Sequence, residues 1–461
     1  MFSHGKYLVK RFIADNGSII VLLALCAYYS VVTLGEQHPN TPAAGQEVAA
    51  AILKDSSEQV TVVVITRDTV QDRAYSEAVR AAIETGGGTV LAVVNGAPTD
   101  ARLALEQVGG AFSRVDAIAT NHSASGWGPL KPQKLKTTAD KFPGISGIKV
   151  FKPQSYTWPS FLTRENLVNV INQNAVIAII AIGMTLVIIT AGIDLSVGSL
   201  LALCGVTTAV AIQQMAGGAD AGTIGLLGAC LIGTGVCTLC GIFNGVMVTW
   251  FRVPAFVVTL AMMMVARGLA LIVAVQYQSA LLGGGTEGTP EAVRIEAAAF
   301  GWLGNGATFG IPNPILLMLA LYVLAHITMT KTSVGRYIYA VGGNPEAARL
   351  SGVPVFGVLI LVYAICGAMA GLAGIVDASR FEGGRPNAGE MYELQVIAAV
   401  VVGGTSLAGG EGRIFGTLVG AMIIAVIQNG LNMAGVASYE QKCVFGGLIL
   451  AAVLLDRFKR K

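Results

Sequence analysis

Long apolar segments run through most of this chain, and their length limits what it can fold into. One helix needs about 20 consecutive apolar residues to cross a bilayer, and segments close to that length occur ten times here. Charged residues make up 12% of the sequence, whereas a soluble globular domain has about 25%. The sequence therefore predicts an all-α polytopic membrane protein with about ten transmembrane helices. The predicted spans are 17–34, 168–190, 194–214, 223–249, 254–276, 311–330, 355–378, 394–410, 414–434 and 441–456, and the sequence VVGGTSLAGG interrupts the eighth.

The Lys and Arg residues that flank these spans indicate how the chain is oriented. Positive charge collects in the cytoplasmic loops of membrane proteins. A cytoplasmic N-terminus places twelve Lys and Arg residues inside and four in the short external loops, so both termini are predicted to be cytoplasmic. One alternative stays open, because KYLVKRF, the apolar run after it and PNTPAAG also fit a cleaved signal peptide.

Composition and motifs exclude several classes of function. A net charge of only +3, with no basic run containing aromatic residues, argues against nucleic-acid binding. The seven cysteines lie in apolar segments and the four histidines are scattered, so no metal site is predicted. No phosphate-binding loop, nucleophile elbow or paired carboxylate motif occurs. The chain is therefore predicted to be no enzyme and to bind no cofactor itself.

A polar segment between the first and second spans has a different pattern. QVTVVVITRD, TVLAVVNGAPTD and VDAIATN are typical of strands, and RAYSEAVRAAIETGGG and ARLALEQVGGAF of helices. This alternation predicts a small β-α-β-α-β insert with a parallel sheet, followed by an extended linker, GPLKPQKLKTTADKFPGISG. The predicted domains are 1–36 (cytoplasmic N-terminus and first helix), 37–157 (extracytoplasmic insert and linker) and 158–461 (membrane domain).

Polar and charged residues within the predicted spans are candidates for a substrate path or gate. Asp194 lies in TAGIDLSVGSLLAL, where glycines and Ser196 surround it. Such residues let a helix break, and broken helices line substrate paths in transporters. Alternatively, Asp194 accepts hydrogen bonds at the start of the third span, as a helix cap does. Asn172 and Asn174 in INQNAV and Arg267 in MMMVARGLAL complete the set.

Two further stretches are predicted to lie at the cytoplasmic face. In KTSVGRYIYAVGGNPEAARLSGVPV, proline followed by good helix formers predicts a short surface helix between two spans. An exposed helix held by a membrane bundle suits the docking of a partner protein, although an ordinary loop helix has the same pattern. The glycines of QVIAAVVVGGTSLAGGEGRIFGTLVG predict a flexible turn.

Taken together, these stretches resemble the inner-membrane permease of bacterial ATP-binding-cassette importers for ribose and related monosaccharides. The likeness covers about residues 158–456 and includes ARGLALI, GRYIYAVGGNPEAARLSGV and YELQVIAAVVVGGTSLAGGEGRIFGT. It implies a homodimer in the bacterial inner membrane that moves a ribose-like pentose or related sugar by alternating access. It also implies a separate cytoplasmic ATPase that binds ATP and Mg, and a periplasmic binding protein that delivers the sugar.

The resemblance assigns 331–354 as the loop that couples the permease to its ATPase. The residues it implies there are Gly335, Arg336, Gly342, Gly343, Asn344, Pro345, Glu346, Arg349 and Gly352. The insert departs from the family, whose loop at that place is short, and it resembles half of one lobe of a periplasmic sugar-binding protein. A second hypothesis therefore stays open, in which the chain is a membrane sensor whose half-lobe detects a small sugar.

Overall fold

The chain folds into two units, and the sequence of one interrupts that of the other. Leu34–Ser160 forms one unit, called the insert below, and the rest of the chain forms the other, called the membrane unit. The structure is a computed structural model that describes the backbone of residues 2–55, 59–281 and 291–459. It describes the side chains of residues 17–55, 59–280, 291–448, 450, 451 and 454.

The insert is an α/β unit that follows the first helix, α1 (Phe2–Val32). Its helices and strands are β1 (Leu34–Gln37), α2 (Pro42–Asp55), β2 (Thr61–Arg67), α3 (Val70–Thr85), β3 (Thr89–Gly96), α4 (Pro98–Ala111), β4 (Ala117–Thr120), α5 (His122–Ser125), α6 (Pro132–Ala139), β5 (Lys149–Phe151) and β6 (Tyr156–Pro159). Four strands form a parallel sheet in the order β3-β2-β4-β5, while β1 and β6 pair antiparallel.

Helices cover both faces of the parallel sheet. Val62 and Val64 of β2 pack in a core with α2 and α3, whereas Val63 and Ile65 pack in a second core with α4. All four side chains are fully buried. A strand covered on both faces reads as a continuous apolar run, which explains the sequence VVVI within β2.

The segment predicted to be an extended linker after the third strand is folded, so that prediction is wrong. It contains α6, and Leu130, Leu135 and Ile145 are buried in the second core of the insert. These apolar residues are separated by irregular intervals rich in proline and lysine. Their spacing therefore matches neither helical nor strand periodicity, and only the packed structure reveals their burial.

The membrane unit is mostly helical. After α1 its helices are α7 (Arg164–Ile189), α8 (Val197–Met215), α9 (Thr223–Thr249), α10 (Ala255–Leu281), α11 (Gly301–Asn305), α12 (Asn313–Lys331), α13 (Ser333–Gly343), α14 (Pro345–Leu350), α15 (Val355–Arg380), α16 (Tyr392–Val402), α17 (Ile414–Met433) and α18 (Ser438–Lys459). Four two-residue strands complete it: β7 (Val293–Arg294), β8 (Ala307–Thr308), β9 (Ile311–Pro312) and β10 (Gly383–Gly384). Within the described residues, seven helices are long and apolar enough to cross a bilayer: α7, α8, α9, α10, α12, α15 and α17.

Two predicted spans differ from the structure in an informative way. The helix predicted over 194–214 begins only at Val197, after a non-helical connection. The span predicted over 394–410, which VVGGTSLAGG interrupts, is helical only as far as Val402, because α16 has 11 residues and ends there. At about 1.5 Å per residue, α16 is roughly 17 Å long, about half the thickness of a hydrocarbon core. Gly404, with φ at 92°, takes a left-handed conformation just past its end.

Glycines let the central helices pack with their backbones in contact. A Cβ at Gly367 of α15 would collide with the carbonyl of Cys237 in α9, and one at Gly241 of α9 would collide with the carbonyl of Tyr363 in α15. Small residues at helix interfaces serve this purpose in membranes. Helices α9 and α15 both pack against α8. This packing positions the connection before α8, where Asp194 lies.

Candidate substrate path and coupling surface

Asp194 lies in the connection between α7 and α8, and its side chain is fully buried. Its Oδ1 accepts hydrogen bonds from the backbone N–H of Ser196 (2.9 Å) and from the Ser196 hydroxyl (2.6 Å). The Asn244 amide of α9 donates to the same hydroxyl (3.2 Å). Asp194 and Ser196 therefore form one buried network just before α8, whose N-cap is Ser196. The capping role considered for Asp194 from the sequence is not seen, because Asp194 accepts from Ser196 and from no backbone N–H within the helix.

The charge state of Asp194 follows from its surroundings. Burial raises the pKa of this carboxyl, and hydrogen bonds from Ser196 and Cys366 act in the opposite direction. Desolvation is the largest of these effects, and a buried carboxylate without a cation beside it is costly. Desolvation therefore acts in favour of the neutral carboxyl, and the hydrogen bonds act in favour of the carboxylate.

Arg267 of α10 binds the backbone of the segment that precedes α16. Its guanidinium donates to the carbonyls of Pro386 (2.6 Å) and Ala388 (2.7 Å). These two bonds satisfy a cation inside a span, which otherwise carries a large desolvation penalty. Arg267 thus holds a non-helical segment in place, and this contact differs from the substrate contact considered from the sequence.

The two asparagines predicted for the path have different surroundings. Asn174 is buried and donates to the carbonyl of Val170 within its own helix (2.9 Å). The backbone carbonyl of Asn172 accepts from Arg380 at the end of α15 (2.7 Å), while its side-chain Oδ1 has no partner among the described residues. Asn172 therefore remains a candidate polar contact, whereas Asn174 is engaged within α7.

A groove that the sequence patterns did not indicate lies between the start of α16 and α18. Its volume is about 360 Å³, within the roughly 300–1,000 Å³ of small-molecule sites. The residues that line it are Glu390, Met391, Leu394, Gln395, Ala398, Lys442, Phe445 and Gly446. In the sequence, Glu393 and Gln395 are two polar residues within an apolar run. A single sequence does not show that this run lies beside a groove.

The start of α16 is fixed by close backbone packing. A Cβ at Gly198 would collide with the carbonyl of Gly389, so α8 and the segment before α16 touch there. Met391 takes a left-handed conformation, with φ at 66°, immediately before the helix. α16 is thus a short helix that begins inside the bundle, the type of discontinuous helix that forms binding sites in transporters.

The predicted coupling segment contains two short helices with well-defined caps. Thr332 accepts from the N–H of Gly335 at the start of α13 (3.4 Å). Asn344 accepts from the N–H groups of Glu346 and Ala347 at the start of α14 (3.0 Å each). Pro345 occupies the first position of α14, as the sequence predicted.

Most of α14 and its flanks are exposed. Glu346 and Arg349 form a surface ion pair (2.9 Å), with 75% and 65% of their side chains exposed. Leu350, which the sequence patterns did not single out, is 84% exposed beside them. The exposed residues Gly343, Asn344, Pro345, Glu346, Ala347, Arg349, Leu350, Ser351 and Gly352 are called the coupling surface below.

Helix α13 contacts the backbone at two places: the end of α7, which leads to Asp194, and the loop that follows α16. A Cβ at Gly342 would collide with the carbonyl of Ile189 at the end of α7, and the same carbonyl accepts from the N–H of Gly410 (2.9 Å). Tyr339 of α13 donates to the carbonyl of Gly412 (2.7 Å). α13 therefore contacts both the segment leading to Asp194 and the loop that follows α16.

A family model matches the part of the chain that contains these sites. The model for the branched-chain amino acid transport system / permease component matches residues 166–453. The chain belongs to this permease family. The matched region contains α8, α16, the groove and the coupling surface, and it lies outside the insert. The permease is accordingly a multi-pass membrane protein, and the likeness drawn from its motifs is confirmed.

Curated relatives of the permease are named as sugar transport proteins. It is 45% identical over 306 residues to the ribose import permease protein RbsC of Escherichia coli (strain K12), covering 66% of this chain and 88% of the relative. It is 43% identical over 301 residues to RbsC of Bacillus subtilis (strain 168), with coverage of 65% and 87%. The L-arabinose permease AraH of Azospirillum brasilense is 36% identical over 311 residues, with coverage of 68% and 85%. No solved structure matches the chain.

Two adjacent glycines of the permease provide a test of the packing below the coupling surface. Gly342→Ala is expected to destabilise the purified permease by about 1–3 kcal/mol, because the new methyl group overpacks against the Ile189 backbone. Gly343→Ala has open space around its Cβ and serves as the matched control. Thermal unfolding in detergent measures both variants, and equal stabilities would contradict the contact.

Proposed function

We propose that this permease is the transmembrane subunit of an ATP-binding-cassette importer that carries a monosaccharide across the bacterial inner membrane. A separate ATPase binds ATP and Mg and drives alternating access. The match to the permease family, together with relatives named for ribose, allose and arabinose, supports this most strongly. A monosaccharide also fits the size of the groove beside α16.

The coupling surface suits the proposed ATPase contact. It combines exposed charge with an exposed leucine, and its base touches the carbonyl end of α7 and the loop after α16. A movement of α13 would therefore act, through direct backbone contacts, on both the connection between α7 and α8 and the loop that follows α16. The ATPase can shift the permease between two states only if it binds those states with different affinity.

The proposed assembly contains further partners. Two permease copies form a homodimer, two ATPases bind on the cytoplasmic side, and a periplasmic binding protein delivers the sugar from outside. Both termini of the permease are cytoplasmic, and the insert is extracytoplasmic. The Lys and Arg distribution in the loops supports this orientation.

Reconstitution tests the proposal directly. The permease, the ATPase and the binding protein encoded beside it are incorporated into proteoliposomes, and uptake of D-ribose, D-allose and L-arabinose is measured with and without ATP. Uptake of at least one of these sugars should require both ATP and the binding protein. Absence of ATP-dependent uptake for every monosaccharide in a broader panel would refute the proposal.

Removal of the insert distinguishes a transporter from a sensor. Gln37 of β1 and Tyr156 of β6 are directly paired, so an Asn-Gly turn in place of residues 38–155 can close a two-residue hairpin. We expect uptake by this variant to stay within about twofold of the full-length permease, the effect of roughly 0.5 kcal/mol. Complete loss of uptake, with the variant still inserted in the membrane, would favour the sensor hypothesis.

A further inference from the structure

The segment that precedes α16 lies at the level of the middle of a membrane-crossing helix. Arg267 is near the centre of α10, which has 27 residues, and it donates to the carbonyls of Pro386 and Ala388. Residues 386–391 are not helical. At this depth, non-helical backbone occurs only where protein covers it or where it lines a water-filled cavity. The start of α16 therefore cannot face lipid.

One side of this region is uncovered in a single chain. Glu390 is exposed, and Met391 and Leu394 are 42% and 39% exposed. All three line the groove between α16 and α18. A carboxylate that faced lipid so far from the membrane surface would carry a large desolvation cost. Another surface therefore has to close the open side of this groove.

The groove carries one charge of each sign. Glu390 lies on one wall and Lys442 of α18 on the other. Both side chains are exposed, and neither forms an ion pair with any residue that the structure describes. Across a two-fold axis, a surface meets its own copy, and each contact occurs twice. Glu390 of each copy can therefore pair with Lys442 of the other.

Two glycines of α18 leave room for a second helix beside these charges. Gly446 lines the groove, and Gly447 follows it. Both are exposed, and a Cβ at either position would meet no atom of the chain within 4 Å. Small residues let helices approach each other closely in membranes. A helix of a second copy can therefore pack at this wall of the groove.

We propose that two copies of the permease form their homodimer through the groove between α16 and α18, with Glu390 of each copy paired with Lys442 of the other. The proposal rests on the function proposed above, which includes a homodimer, and it assigns the residues of its interface. The second copy closes the open side of the groove and turns it into an internal space.

Charge reversal in two differently tagged copies tests this pairing. Glu390→Lys alone and Lys442→Glu alone each place like charges opposite each other, and each should raise the dissociation constant of the dimer at least about tenfold. The two single variants have complementary surfaces and should associate with each other when they are expressed together. Pairing within one chain cannot give this result, because each single variant lacks the opposite charge. Co-purification through both tags and dilution of labelled permease in detergent measure the association.

A variant without a change of charge provides a second test, which holds if the charge variants do not insert. Gly446→Leu fills the space for the second helix and should also raise the dissociation constant at least about tenfold. Gly235→Leu in α9 is its matched control, because a Cβ there likewise meets nothing within 4 Å. Glu165→Lys, at an exposed carboxylate in the first turn of α7, is the control for charge.

Several results would overturn this interface. They are a monomeric unmodified permease, or single variants and Gly446→Leu that dimerise as tightly as the unmodified permease. Failure of Glu390→Lys and Lys442→Glu to associate with each other would also do so. An unchanged dimer together with lost binding of the periplasmic protein would place that partner in the groove instead. Absence of ATP-dependent uptake by the unmodified importer would refute the proposed function, whatever the dimer measurements show.

Discussion

A Glu346→Arg variant is expected to insert normally while uptake and sugar-stimulated ATP hydrolysis by the assembled importer fall more than about tenfold. Glu346 is exposed on α14 and, among the residues that the structure describes, it pairs with Arg349 at the surface, so its contribution to folding is small. A partner surface that complements this charge would meet a like charge after the reversal, which costs several kcal/mol, and roughly 1.4 kcal/mol corresponds to a factor of ten.

A second charge reversal, away from the coupling surface, shows whether the loss of uptake comes from the ATPase contact or from the change of charge itself. Glu165 is an exposed carboxylate in the first turn of α7, and Glu165→Arg should leave uptake nearly unchanged. Both variants are compared by the amount of permease in the membrane, by co-purification with the ATPase and by uptake. Normal co-purification and uptake with Glu346→Arg would show that α14 is not part of the proposed contact with the ATPase.

The second large effect is expected at Asp194. Asp194→Ala should destabilise the permease by about 2–4 kcal/mol, because it removes the acceptor for both the N–H and the hydroxyl of Ser196. Those donors would remain buried without a partner at the start of α8. Thermal unfolding of the purified permease in detergent measures the loss.

Asp194→Asn is the informative comparison. An asparagine oxygen can accept the same bonds from Ser196, and burial favours the neutral form of Asp194 that asparagine imitates. We therefore expect this variant to lose less than about 1 kcal/mol. A loss as large as that of Asp194→Ala would show that the negative charge itself is required.

Hydropathy and periodicity predicted much of the architecture because they report burial directly. The long apolar segments indicated seven helices that the structure shows at nearly the same positions, for example 223–249 and α9 (Thr223–Thr249). The strand and helix patterns of the insert fall within a few residues of β2, α3, β3, α4 and β4. In each case, a regular pattern of side chains coincides with a regular backbone.

The features that position the candidate site do not leave such a pattern. The glycines of VVGGTSLAGG predict an interruption without fixing its position, whereas the left-handed Gly404 and the contact of Gly403 with Gly416 show where the helix ends. Arg267 bonds to carbonyls more than a hundred residues away in sequence. The groove at Gln395 likewise depends on α18, which a single sequence cannot place beside α16.

The central claim is that the coupling surface lies on the cytoplasmic side, where an ATPase can bind it. Ala347 is exposed within this surface, and an Ala347→Cys variant, with the exposed Cys443 changed to serine, allows it to be labelled. A membrane-impermeant maleimide should modify the new cysteine in inside-out vesicles, should not modify it in intact cells, and should be blocked by the bound ATPase. Modification from the outside of intact cells would contradict the account.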